Sequence, residues 1–434
     1  MRYDPLPTAF FQANRARVTA LLPPRAVAIL NSNDVMPTNA DGTMGFCQNS
    51  DLYYLTGVDQ EEAVLVLFPS ARDPKRREML FVRETSELLA IWEGAKLSKE
   101  QARALTGIET VFWTSDFERI LRETMFEASA IYLNRNEHGR ANSPVQTRDD
   151  RFLEMIKAEY PLHQLERLAP LLYRLRMEKS PEEVEAIRMA TRTTEAGFRR
   201  LLSFVKPGVR EYEIEAELMH EYLRGRSRGF SYPPIIASGA NACVLHYVEN
   251  NAVCEAGEML LLDVAAEYAN YRSDMTRTIP VSGRFSPRQR LVYDAVLRVL
   301  RACSALLRPG LVMSDYQKEA AGLMEAELIG LGLLGAEEVK NQDPEKPLYK
   351  KYFMHGMSHH IGLDVHDVSD PALPLGAGMI LSVEPGIYIK EEGLGIRLEN
   401  LILLGETKNE DLMQGIPLEV SEIEDLMNSA TKDV

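Results

Sequence analysis

Cysteine is scarce: Cys47, Cys243, Cys254 and Cys303 are the four in 434 residues, and none forms a C-x-x-C pair. That argues against a disulfide framework, a thiolate zinc site or a dithiol redox motif, and for small thiols in a reducing cytoplasm. Long apolar runs are missing too. None approaches the ~18–20 residues that span a bilayer, and the N-terminus, with Arg2 and Asp4, lacks the apolar stretch of a secretory signal. No membrane association and a cytoplasmic location are the expectations. Positive charge is in deficit, with 49 Lys+Arg against 64 Asp+Glu and a net charge of −15. Such a surface repels phosphate backbones, so nucleic acid is not an expected partner. No glycine-rich phosphate loop follows any strand-like run, which leaves a nucleotide site without support.

What is present is ordinary globular composition, 45% hydrophobic and 26% charged, in a length that suits two or three domains. The first part alternates apolar runs, at 26–30, 63–68, 79–82 and 130–133, with helix-like stretches. Strands spaced by helices predict an α/β domain with a covered sheet. A polar stretch at 134–150, with Gly139 and Pro144, reads as a loop near its end. The division expected is an N-terminal domain over 1–172 and a second over 173–434.

The second part opens with Ser180-Pro181-Glu182-Glu183, which combines an N-cap, a proline at the first helical position and a capping-box glutamate. That helix should stop at Lys206-Pro207-Gly208, with another over 211–223. About a hundred residues later the signals return. Ser286-Pro287 opens a helix whose stripe is Val292, Val296, Val299, Cys303 and Leu306, Arg308-Pro309-Gly310 stops it, and Ser314-Asp315 should cap the next. Helix, basic-Pro-Gly stop, helix, occurring twice, predicts a pseudo-symmetric domain with a site where its halves meet.

Each helix pair is followed by an apolar stretch bearing two acids. If Tyr268-Ala269 is a two-residue turn, Asp263 lies directly opposite Asp274; a tip at Glu391-Glu392 likewise opposes Glu384 and Glu399. A bulge at Pro385-Gly386 would shift that second register. Directly opposed residues share a face with Cβ atoms ~4.5–5.5 Å apart, and bare carboxylates that close need a cation or a shared proton. Paired carboxylates suit hard divalent cations. Four bring about −4, which two divalent ions neutralise, and an ion pair can stabilise charge on both sides of a hydrolytic transition state.

Histidine adds nitrogen. Of eight, four crowd HGMSHHIGLDVHD: His355, His359, His360 and His366, with His246 a fifth candidate just before the first acid pair. Imidazole is the common nitrogen ligand for manganese, cobalt or zinc. His138, His163 and His220 read as ordinary surface or core residues. The run is not H-E-x-x-H, and it lacks the second glycine of a serine-hydrolase elbow.

These residues resemble the pita-bread metallopeptidases, and within them the aminopeptidase P (Xaa-Pro aminopeptidase) group. HGMSHHIGLDVHD, LSVEPGIYI and GIRLEN carry the likeness, and LYYLTGVDQEEAVLVLFP at 52–69 with Ile91-Trp92-Glu93-Gly94 extends it to the N-terminal domain. The resemblance implies a creatinase-like α/β domain before a pita-bread catalytic domain, α/β (α+β) in class. The family's ligand order of two Asp, one His and two Glu falls on Asp263, Asp274, His359, Glu384 and Glu399. It further implies two divalent ions, manganese foremost with cobalt or zinc as alternatives, and a metal-bridging hydroxide that attacks the bond before a penultimate proline.

Glu384 would orient that nucleophile and handle its proton, while His246, His355 and His366 bind substrate and stabilise the developing charge. Arg397 would order Asp263 or a nearby tyrosine such as Tyr388, itself a candidate substrate contact, or form a structural ion pair. Peptides with proline second are the implied partners, and a homo-oligomer, dimer or tetramer, the implied assembly. Prolidase activity on dipeptides is the alternative; a non-catalytic pita-bread interaction module is a third reading. Departures from the pattern are Val264-Ala265-Ala266 where relatives place a glycine, His360 where they often carry an aromatic, and Asn400 where an acid is usual.

Overall fold

The computed structural model describes residues 2–429. It divides into two compact units, one spanning Asp4–Arg176 and the other holding Tyr3 and the chain from Met177 on.

In the first unit six strands form one mixed sheet: β1 (Ala26–Asn31), β2 (Val64–Leu67), β3 (Glu78–Val82), β4 (Thr110–Trp113), β5 (Ala130–Leu133) and β6 (Gln164–Arg167), in the order β4-β3-β2-β1-β5-β6. The four apolar runs are strands as expected. β4 and β6, the two edge strands, are not among the expected runs: β6, Gln-Leu-Glu-Arg, is polar and half-exposed, and β4, Thr-Val-Phe-Trp, is short and only partly buried. The stretch at 134–150 is only partly loop: Thr147 caps a helix over Arg148–Glu159. The buried core joins Val27, Ile29, Val66 and Phe81 to helix residues Ile120, Leu121 and Ile156, so the expected covered α/β sheet is what forms.

The second unit carries the duplication. Ser180 caps the helix Pro181–Phe204 with Glu183 closing the box, and Ser286 caps Pro287–Leu306 with Gln289 in the same role. Each helix ends before a turn whose glycine adopts positive φ, 91° at Gly208 and 87° at Gly310. There glycine avoids the steric penalty that a Cβ brings in the left-handed region. The partner helices are Glu211–Arg224 and Met313–Gly330. Ser314 lies inside the latter, whose N-cap is Val312 without a side-chain bond, so the expected Ser314 cap is corrected. Among the described residues no helix is long and apolar enough to cross a membrane.

Strands β7 (Ile235–Ser238), β8 (Met259–Asp263) and β11 (Thr276–Pro280) form one sheet, and β9 (Glu267–Tyr268) pairs with β10 (Tyr271–Arg272). In the second half β12 (Ile380–Val383) pairs with β15 (Asn400–Leu403), which also pairs with β16 (Glu410–Asp411), and β13 (Gly386–Ile389) pairs with β14 (Leu394–Arg397). The first register differs from expectation. Tyr268 pairs with Tyr271, so the turn is Ala269-Asn270, at φ 52° and 66°, and Asp263 pairs with Thr276 rather than Asp274. Two left-handed residues make the tight turn that follows strand twist, and Asn270 tolerates it well. Because strand faces repeat every two residues, the two-residue slip leaves Asp274 diagonal to Asp263 on the same face. The second register holds: Val383 pairs with Asn400 and Gly386 with Arg397. Pro385 accepts from Leu398 N at 3.1 Å and adds no bulge, so Glu384 and Glu399 remain opposite.

Candidate active site

The acids and His359 meet at the ends of these strands. Asp263 ends β8, Asp274 lies between β10 and β11, Glu384 follows β12 and Glu399 follows β14. One carboxylate oxygen each from Asp274 and Glu399 and a ring nitrogen of His359 lie within 4.8 Å of one another. His359 Nε2 is 3.4 Å from Asp274 Oδ2 and 3.5 Å from Glu384 Oε1. The Tyr232 hydroxyl is 2.6 Å from an oxygen of both Asp263 and Asp274, so the first acid enters the same group. The structure therefore brings together all five residues with candidate ligand roles.

Burial sets the electrostatics. Glu384 is pushed up to about 7 by desolvation, with Asp274 and Asp263 adding to the rise against His359 and Arg397. Glu399 is held well above the carboxylate range by burial and by Asp274, Glu384 and Asp263. Asp263 is also raised by burial, with the Arg397 cation opposing. Burial disfavours a charged His359, but its hydrogen bond to Asp274 and the charges of Glu384 and Asp274 outweigh that and lift it to about 9. Without a cation, such a cluster collects protons.

Its donor set fits divalent cations. Glu399 Oε1 is buried and has no hydrogen-bond partner in the structure. His359 Nδ1 faces the carbonyl of His360 at 3.0 Å, an acceptor, so the ring proton sits there in the neutral form. Nε2 then turns its lone pair into the space between the carboxylates, where a cation would take it, the arrangement in which a carbonyl fixes a ligand imidazole.

Around this group a second chain of contacts is fully determined. His355 Nδ1 lies 2.8 Å from the Gly356 carbonyl, so it carries the proton, and Nε2 accepts from the Tyr388 hydroxyl at 2.8 Å. Tyr388 in turn accepts from Arg397 Nη1 at 2.8 Å, and Arg397 Nη2 donates to Asp263 Oδ2 at 2.6 Å. Burial, with Arg397 nearby, drops His355 to about 3, which keeps it neutral. Arg397 thus reaches both partners named for it in the sequence. The His366 ring stands edge-on to His359 with centroids 4.4 Å apart. His246 is exposed, in the loop after the turn Gly239–Cys243, and its charge bears on His355. Tyr232 and Thr276, whose hydroxyl donates to Glu399 Oε2 at 2.8 Å, were not legible in the sequence. Their contacts cross 31 and 123 residues of chain.

The pattern of metallopeptidase family M24 matches residues 185–406, and that of the aminopeptidase P N-terminal domain matches residues 11–132. The chain belongs to metallopeptidase family M24. It is 33% identical to the Xaa-Pro aminopeptidase of Haemophilus influenzae over 98% of both chains. With Xaa-Pro aminopeptidase 3 of Homo sapiens it shares 31% identity over 93% of this chain and 81% of that one. The structure of Pseudomonas aeruginosa aminopeptidase PepP superposes with a TM-score of 0.90 at 31% identity, covering 99% of this chain and 100% of that one. Zinc-substituted Escherichia coli aminopeptidase P in complex with product gives 0.88 at 32% identity over the same shares. The M24 fold, a creatinase-like N-terminal domain followed by a pita-bread domain, is the one expected from the sequence. As an M24 member the chain is a metallopeptidase, and divalent-metal binding follows from that membership and from the donor cluster.

Proposed function

We propose that this M24 enzyme is an Xaa-Pro aminopeptidase that removes the residue preceding a penultimate proline. The observation that carries the reading is the convergence of four acids and the His359 lone pair. Around it, similarity to an Xaa-Pro aminopeptidase spans 98% of the chain. Asp263, Asp274, His359, Glu384 and Glu399 would hold two divalent ions: Arg397 offsets one of the four carboxylate charges, and a single divalent ion would leave the rest unbalanced. Oxygen-rich sites with one imidazole suit manganese, with cobalt or zinc as alternatives. Bound divalent ions supply an activated water and polarise the scissile carbonyl.

The chain's own groups do the rest. Glu384, 3.6 Å from His355 Nδ1, takes the water's proton and passes it toward the leaving proline nitrogen. Neutral His355 is held on both sides, by Tyr388 at Nε2 and by the Gly356 carbonyl, to which its Nδ1–H donates. Arg397 holds Asp263 and Tyr388 in register. His246 and His366, both exposed, contact the peptide. An Xaa-Pro bond has no N–H, so a site that grips the free amino terminus and the proline ring avoids the missing donor.

We assign a cytoplasmic location and a homo-oligomeric state, dimer or tetramer, as parts of the same reading; the scarcity of cysteine agrees with the first. The test compares Gly-Pro with Gly-Pro-Xaa peptides beside metal analysis of the purified protein. Turnover of the longer peptides with bound divalent metal supports the aminopeptidase. Cleavage of the dipeptide alone makes it a prolidase, and no turnover with no metal makes it an interaction module.

A further inference from the structure

Arg277 is fully buried, yet its guanidinium meets only oxygens without formal charge. Nε donates to Pro417 O at 2.9 Å, Nη1 to Thr276 O at 2.9 Å and to Glu399 O at 2.7 Å, and Nη2 to Asn400 Oδ1 at 2.8 Å. A buried cation is costly unless its donors are satisfied. Here four of the five guanidinium N–H groups are used, in a fork that no ammonium reproduces. Asn400 directly follows the last acid of the candidate ligand set. Its neutral amide accepts from Arg277 and donates from Nδ2 to Asp411 at 2.6 Å, so it links the cation to a carboxylate one step away. A carboxylate at that position would repel Asp411 instead.

The consequence falls on Glu399. Its N–H donates to Thr276 O at 3.0 Å, its Oε2 accepts from Thr276 Oγ1 at 2.8 Å, and its carbonyl accepts from Arg277. Backbone and one carboxylate oxygen are thus held, and Oε1 is the oxygen left without a partner. Arg397 grips Asp263 directly through its carboxylate, whereas Arg277 acts on the last acid through its peptide. We propose that Arg277 is a positioning residue for metal binding: its guanidinium clamps the peptide of Glu399 against β11 so that Oε1 is presented to a divalent cation.

This rests on the reading of Glu399 as a ligand, and the test separates the two. Manganese is titrated calorimetrically into metal-stripped enzyme for the wild type, Arg277→Lys, Asn400→Ala and Glu399→Gln. Arg277→Lys keeps the charge but loses the fork, and should weaken manganese about 10–100-fold, the usual effect of losing a group that orients a ligand. Its kcat should recover toward wild type as manganese is raised, because no reacting group has changed. Asn400→Ala removes one acceptor and should weaken manganese by a smaller factor. Wild-type manganese affinity in a folded Arg277→Lys protein overturns the proposal, as does a loss of thermal stability that is equal with and without metal. Should Arg277→Lys not fold, Asn400→Ala decides in the same way. Wild-type affinity in Glu399→Gln defeats the ligand assignment itself, whatever the arginine does.

Discussion

His359 Nε2 lies 3.4 Å from Asp274 Oδ2, with the imidazole turned so that its other nitrogen faces the carbonyl of His360. The pair is poised for either of two occupants, a proton on the ring or a cation between ring and carboxylate. Much of the expected behaviour of the enzyme follows from that competition.

Removing a ligand should remove the metal. Asp263→Asn deletes a negative charge and also leaves the buried Arg397 without its carboxylate. Activity should fall by more than the 10–100-fold typical of changes outside the ligand set, with metal content reduced in parallel and far-UV circular dichroism retained. Normal metal content and turnover in this variant would sink the assignment.

Metal should stabilise the protein increasingly as pH rises. In the metal-free fold Glu384 sits at about 7 against an ordinary 4.5, and His359 at about 9 against 6.5. Both folded-state values are raised, so each group adds stability that is complete below its ordinary value and lost as pH rises through its folded value. For Glu384 that loss runs from about 4.5 to 7 and for His359 from 6.5 to 9. A cation binds the deprotonated forms, so it gains advantage over the same windows. Melting curves with and without manganese at pH 5, 6.5 and 8 should therefore diverge upward; a constant gap contradicts the linkage.

The acid limb of the pH–rate profile should move to lower pH when free metal is raised, because ligation competes with protonation. Bound metal measured across the same range must track the limb. A limb that stays fixed over a hundredfold change in metal, with constant bound metal, reports a group other than the ligands.

Tyr388→Phe breaks the link from Arg397 to His355 without touching an acid. Metal content should stay at the wild-type level while kcat falls by about 10–100-fold, the range for lost positioning contacts. Loss of metal in step with kcat would place Tyr388 in support of the ligands instead.

Gly395→Ala should destabilise the catalytic unit. A Cβ there would lie 2.3 Å from the Ala242 carbonyl oxygen, a backbone atom that cannot rotate away. Overpacking of this kind costs about 1–3 kcal/mol, visible as a lower denaturation midpoint. An unchanged midpoint means that β14 and the Gly239–Cys243 turn can separate.

Helix ends, the duplicated order and the ligand types were legible along the chain, because each depends on neighbours within a few residues. Ser180 bonds Glu183, and Ser286 bonds Gln289, so their motifs carry their own geometry. The second acid pair was countable since the loop ahead of Gly393 leaves the register intact. The register of the first pair lies two residues from the expected one, because the non-glycine turn Ala269-Asn270 announces itself only weakly, and period-two alternation alone preserves the face. What only the fold decided lies in contacts between distant segments. Tyr232 joins two aspartates, and Arg277 carries Glu399 across 122 residues. The same packing sets which nitrogen of His355 holds the proton, since a buried imidazole takes its tautomer from the acceptor that the fold places beside it.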